Sequence, residues 1–144
     1  MRETYEFNEE IGQGSSGMVY LVTHKVTNIQ YACKVIIRNN DMNDAASMKT
    51  EMEIMKRIRH RNIVSMHELY ETPACYWVIL ELVDGGDLHD YLSDIDHYSE
   101  RVAAKQMKQI FKALHYMHAF GIIHRDLKLD NILLKGKGEV RRSI

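Results

Sequence analysis

Along the first forty residues, apolar and polar positions alternate as they do on strands with one covered face. Tyr5-Glu6-Phe7, Met18-Val19-Tyr20-Leu21-Val22 and Gln30 to Ile37 are separated by glycine-rich or polar turns. The pattern predicts an antiparallel sheet. From Ala45 to Arg59 the period changes: Met48, Met52, Met55 and Ile58 recur at helical spacing, which predicts one amphipathic helix with a basic end. Strand-like stretches return at Ile63 to Tyr70 and Tyr76 to Leu82, with Thr72-Pro73 as the turn between them. Beyond Asp84-Gly85-Gly86, the residues Val102, Met107, Ile110, Phe111, Leu114, Met117 and His118 are placed on one stripe of a long helix. The switch at Gly85-Gly86 from strands to helix predicts a boundary between two lobes.

Composition bounds this picture. The 144 residues, 45% hydrophobic and 27% charged, suffice for one globular unit with a core. A formal net charge of −1 argues against nucleic-acid and membrane-surface partners, whose basic fields require clustered Lys and Arg. The runs Lys56-Arg57 and Arg59-His60-Arg61 fit a solvated helix end. Cys33 and Cys75 lack a CxxC spacing, so neither a disulfide framework nor a thiolate metal site is expected, and a reducing compartment is. Residues 1–6 carry no apolar signal core, and the apolar run Tyr76 to Leu80 is too short to cross a bilayer. The expectation is a cytoplasmic protein, or a nuclear one.

Three stretches suggest chemistry. Gly12-Gln13-Gly14-Ser15-Ser16-Gly17 is a GxGxxG, but polar Asn8-Glu9-Glu10 precedes it and strand-like Met18 to Val22 follows, so it predicts a hairpin tip and not a dinucleotide turn opening a helix. Glycines there let backbone N–H groups approach phosphate oxygens, although a plain hairpin uses the same letters. Lys34 sits mid-strand in "YACKVI", where a charge needs a carboxylate partner. Glu51 shares a helix face with Met48, Met52 and Met55 and is the candidate. Surface positions for both are the plainer alternative. Finally "HRDLKLDN", residues 124–131, crowds charge against the apolar run Ile132-Leu133-Leu134.

Gly12, Gly14, Gly17, Val19, Ala32-Cys33-Lys34, Glu51, His124-Arg125-Asp126-Leu127 and Asn131 occur in the order and approximate spacing of the eukaryotic protein kinase catalytic domain, which this chain resembles from about Tyr5 to Val140. The resemblance implies an α+β fold. A small lobe over residues 1–82 would hold an antiparallel sheet crossed by one helix, with a hinge region at 83–86 and the first helical part of a second lobe at 87–144. It further implies ATP and Mg2+ as cofactors. Ile11, Val19 and Ala32 would lie above adenine and Leu133 below it, with Leu80 as gatekeeper. Glu81 and Val83 would offer hinge backbone groups, and Asp87 would reach the ribose. The glycines and Lys34, paired with Glu51, would hold the phosphates. Asp126 would accept the proton of the substrate hydroxyl, Lys128 would contact the γ-phosphate, and Asn131 would bind magnesium. His124 and Arg125 would be structural.

Lys128 resembles the serine/threonine branch. Asp87 and Asp130 match carboxylates that select basic residues around the target in calcium/calmodulin-dependent-type kinases. The sequence departs from the family after Val140: "RRSI" stands where an apolar strand and the magnesium-binding Asp-Phe-Gly are expected, so the chain is read as C-terminally truncated. Ser16 replaces the aromatic residue common at the glycine tip. Two functions follow. One is an ATP-dependent serine/threonine kinase of which this is a fragment inactive alone. The other is a non-catalytic, pseudokinase-like protein that binds nucleotide or a partner.

Overall fold

The computed structural model describes residues 1–14, 17–38, 50, 52–124, 126–136 and 139–142. They divide into two compact units, residues 1–57 with 65–82 and residues 58–64 with 83–144.

The first unit is built on five antiparallel strands, β1 (Tyr5–Gly14), β2 (Gly17–His24), β3 (Gln30–Ile37), β4 (Met66–Glu71) and β5 (Cys75–Glu81), in the order β1-β2-β3-β5-β4. Alternation puts Val22, Cys33 and Ile79 on one face, where they are fully buried with Tyr5 and packed against Phe7, Tyr20, Tyr31, Val35, Tyr70 and Trp77. The sheet is curled enough for its two edge strands to meet. Tyr5 of β1 donates its hydroxyl to the Glu68 carboxylate of β4 (3.1 Å), and Tyr70 donates to the same oxygen (2.7 Å). The Tyr5 ring stands edge-on to Tyr31 and Tyr70, which closes the curl with aromatic contacts. Burial and the Glu68 carboxylate push the Tyr5 phenol pKa well above its ordinary value. Residues 52–57 form a helix, α1, on which Met52 and Met55 are buried as the periodicity predicts. Met48 lies outside the described residues.

The second unit contains α2 (Leu88–Ser93), α3 (Glu100–Ala119), a single 3-10 turn (Leu129–Asn131) and a hairpin of β6 (Ile132–Lys135) with β7 (Glu139–Arg142). Ser99 caps α3 by accepting from the Val102 N–H, and Gly121 at φ 71 ends it, its N–H returning to the His118 carbonyl. One face of α3 packs Ile110 with Leu88, Ile132, Leu134 and Val140. Ala113 and Met117 of the same helix pack with Ile58 and Ile63.

Three sequence expectations change. Residues Ile63 to Ser65 are not part of β4, because Ile63 is drawn into the cluster with Ala113 and Met117. The buried stripe of α3 is Gln106, Ile110, Ala113 and Met117, whereas Val102, Met107, Phe111 and His118 are exposed. Gln106 can be buried because the Tyr98 hydroxyl donates to its amide oxygen. The polar Arg141-Arg142 is strand after all, paired with Leu133 and Ile132, while Val140 beside them is fully buried.

Two outcomes test this packing. Tyr5→Phe removes one hydroxyl bond and should cost about 1 kcal/mol, whereas Tyr5→Ala should cost about 3–5 kcal/mol, both read from denaturant unfolding. His60 accepts the Asn62 N–H on Nδ1 (3.1 Å), and burial, with Arg61, Arg141 and Lys112 adding positive field, lowers its pKa below 6.5. The neutral ring is the folded form. Stability is therefore complete above the ordinary imidazole pKa and falls as pH drops from there through the lower folded value. His60→Gln should flatten that slope in pH-dependent unfolding.

Candidate active site

The residues singled out for chemistry fall in both units. In the first, the glycine segment is a hairpin between β1 and β2, with Gly12 opposite Val19 and Gly14 opposite Gly17. Ser15 and Ser16 lie outside the described residues. Gly17 is demanded by packing as well as by openness: at φ +136, a Cβ there would sit 1.9 Å from the Val35 carbonyl oxygen. Gly12 has room, its nearest neighbour being the Val19 Cβ at 4.0 Å. Ile11 lies at the register shift between Glu10 and Gly12 and is exposed.

Strand pairing collects the apolar candidates on one face. Ala32 and Lys34 point away from buried Cys33, Val19 is opposite Lys34, and Leu80 is opposite Ala32. Lys34 is half-buried and engaged in an interaction. Its expected partner Glu51 lies outside the described residues. At the end of β5 the Glu81 N–H donates to the Ser65 carbonyl (2.9 Å), and the Glu81 carboxylate accepts from the Ser65 N–H (3.4 Å). The N–H of Glu81 is thus committed within the unit and is not available to a heterocycle.

In the second unit, the segment after Val83 lies alongside β6. Gly85 donates its N–H to the Leu134 carbonyl (2.8 Å), Leu134 donates to the Gly86 carbonyl (2.9 Å), and Asp87 bridges Leu133. A Cβ on Gly85 would stand 2.2 Å from the Leu134 oxygen, so only glycine permits this approach. Asp87 and Leu133, two residues far apart in sequence, are thereby neighbours. Asp87 also caps α2, its Oδ1 accepting from the Asp90 N–H (2.8 Å), which fixes its side chain.

Asp126, Lys128 and Asn131 come together in the loop before β6. Asn131 donates Nδ2 to the Asp126 carbonyl (2.8 Å) and to Asp126 Oδ2 (2.9 Å), and Lys128 Nζ stands 3.4 Å from that same carboxylate oxygen. The Asp126 N–H points back to His124. Arg125 lies outside the described residues. The Asn131 bond first, and then the Lys128 charge, hold the Asp126 carboxyl below its ordinary pKa. With Nδ2 spent on Asp126, Asn131 keeps its amide oxygen for another partner. A hard oxygen beside a carboxylate suits magnesium, which takes few protein ligands and keeps much of its water. The residues present therefore fit that ion as one part of its shell.

The sequence reading passed over α2, although Asp87 before Leu88 and Leu92 is a capping signature, and over the Ser65–Glu81 pair, for which no sequence signal exists. The Asp126 geometry predicts that Asn131→Leu raises the Asp126 pKa toward its ordinary value, with a smaller rise in Lys128→Met. Carboxyl-resolved NMR titration measures both. An unchanged Asp126 titration in Asn131→Leu would contradict the bond.

The protein kinase domain family matches residues 5–143. Myosin light chain kinase A of Dictyostelium discoideum is 41% identical over 138 residues, 95% of this chain and 47% of that protein. Calcium-dependent protein kinase 1 of Oryza sativa subsp. japonica is 40% identical over 142 residues, covering 96% of this chain and 27% of that protein. Human calcium/calmodulin-dependent protein kinase type IV is 39% identical over 133 residues, covering 92% and 28% respectively. The chain spans less than half the length of each of these relatives. A sheet with a glycine hairpin and a mid-strand lysine, and an Asp-Lys-Asn loop leading into a buried hairpin, thus occur in a chain that belongs to the protein kinase domain family, in its serine/threonine, calcium/calmodulin-dependent-kinase-like group.

Proposed function

We propose that this chain carries the nucleotide-binding and catalytic-loop part of a kinase that moves the γ-phosphoryl group of Mg-ATP to a serine or threonine hydroxyl of a protein. The observation that supports this most is the loop geometry, in which Asn131 and Lys128 converge on one oxygen of Asp126. An exposed carboxylate held ionised in this way can accept the hydroxyl proton and orient the attacking oxygen. Lys128, beside it, would meet the γ-phosphate. Asn131 would offer its amide oxygen to magnesium, which when bound offsets the charge of the phosphate oxygens.

In the first unit Lys34 would take the phosphates with Glu51 as partner, and the glycine hairpin would bring N–H groups near them. Val19 and Ala32 share the Lys34 face and suit a flat heterocycle, with Ile11 at its margin, and Leu133 would be a further apolar contact. The hinge groups would be the Glu81 carbonyl and the Val83 backbone. Asp87 would meet the ribose, or with Asp130 a basic residue of the substrate. Within the group, substrates flanked by basic residues suit these two carboxylates.

Transfer itself needs more than these residues. One amide oxygen is a poor clamp for magnesium. Loss of a single electrostatic contact in such a site costs on the order of 3 kcal/mol, about a hundredfold in rate. The 144-residue chain should accordingly bind Mg-ATP and transfer no phosphate, and Lys34→Met should weaken binding about tenfold or more, as loss of a charge-assisted contact implies. Calorimetry and radiolabel transfer test this. Transfer by the purified chain that disappears in Asp126→Asn would refute the expected inactivity, and failure to bind nucleotide at all would refute the assignment.

A further inference from the structure

Val140, at the centre of β7, has no exposed surface, and both its peptide groups point away from β6. Its N–H donates to Gln109 Oε1 (3.1 Å) on α3, and its carbonyl accepts from Asn62 Nδ2 (2.8 Å). Asn62 Nδ2 also donates to Gln109 Oε1 (3.0 Å), so the two amides form a closed ring of bonds around one residue. They stand where a third strand would otherwise pair.

A two-stranded hairpin is marginal by itself and can slip. A slip of one residue would turn Val140 out of its cluster with Ile110, Ile132 and Leu134 and bring a charged neighbour in. Asn62 is 1% exposed, where an amide without partners would be costly, so the ring is specific to the observed register. The ladder ends at Ile132 opposite Arg142, one residue from Asn131. Whatever fixes β7 therefore fixes the strand into which Asn131 leads.

We propose that Asn62 and Gln109 are positioning residues for the phosphoryl-transfer site, holding β7 in register and through it the direction in which Asn131 presents its amide oxygen to magnesium. The proposal rests on the kinase reading above. Gln109→Leu and Asn62→Leu remove one side of the ring each, whereas Gln109→Glu keeps an acceptor for both donors. ATP affinity is measured by calorimetry with and without Mn2+, and exchange of the Val140 amide by NMR. The leucine variants should lose about tenfold of the metal-dependent gain in affinity, in the range found for groups that orient metal ligands, with metal-free affinity unchanged and Val140 exchange accelerated. Gln109→Glu should behave as the wild type. If the leucine variants do not fold, Gln109→Glu against the shorter Gln109→Asn makes the same comparison. Equal losses with and without metal, an unchanged metal-dependent gain in the folded leucine variants, or a Gln109→Glu as impaired as Gln109→Leu would each overturn the positioning role alone. Absence of nucleotide binding in the wild-type chain under both conditions would overturn the kinase reading and this role together, while the Val140 exchange data would still report on the register.

Discussion

A single amide nitrogen organises the charged loop. Asn131 Nδ2 reaches both the carbonyl and the carboxylate of Asp126, five residues away, and so folds residues 126–131 into a tight unit before β6 begins. Without those bonds, Asp126 and Lys128 would be two exposed groups on a loop, free to sample many rotamers. With them, the carboxylate is held in one place and kept ionised, with a cation beside it. The strand that follows is buried because Ile132 and Leu134 face the cluster with Leu88, Ile110 and Val140. Charge is tolerated next to that core because it stays in solvent while only the alternate apolar residues go inside.

The same economy governs the two units. In the first, a five-stranded sheet gains closure from Tyr5, whose ring fills the curl and whose hydroxyl reaches the opposite edge strand at Glu68. This leaves the other face to Val19, Ala32, Lys34 and Leu80, the residues with which the resemblance to kinases is concerned. In the second, a short hairpin that could not persist alone is held by Gln109 and apolar residues of α3 and by the Asn62 amide. Each unit devotes one face to its core and leaves another for chemistry.

Glycines mark the places where backbone meets backbone. Gly85 lies so near the Leu134 carbonyl that any side chain would collide, and this contact joins the segment after Val83 to β6. Gly17 is excluded from substitution by Val35 in the same manner. The glycine hairpin therefore has a packing requirement independent of any phosphate, and substitution at Gly17 alone would not separate the two roles.

Much of this was legible from local pattern. Alternation found β2 and β3 at their bounds or nearly so, because one face of each is buried and the period of two is written into the letters. The motif order pointed to the family for the same reason: glycines, Lys34 and the 124–131 loop are local in sequence. Pattern misplaced the start of β4 and half the stripe of α3. Ile63 is as apolar as any strand residue, and only contact with Ala113 and Met117 shows which core it enters. Met107 and Phe111 carry the letters of a buried face, while Gln106 lies inside because Tyr98 supplies its hydrogen bond. Sequence alone determined the periods, the caps and the reactive residue types, which depend on neighbours a few positions away. Tertiary structure decided which apolar surface is covered, which backbone N–H is already spent, as at Glu81, and which amides meet around Val140, since those outcomes depend on partners brought together from distant parts of the chain.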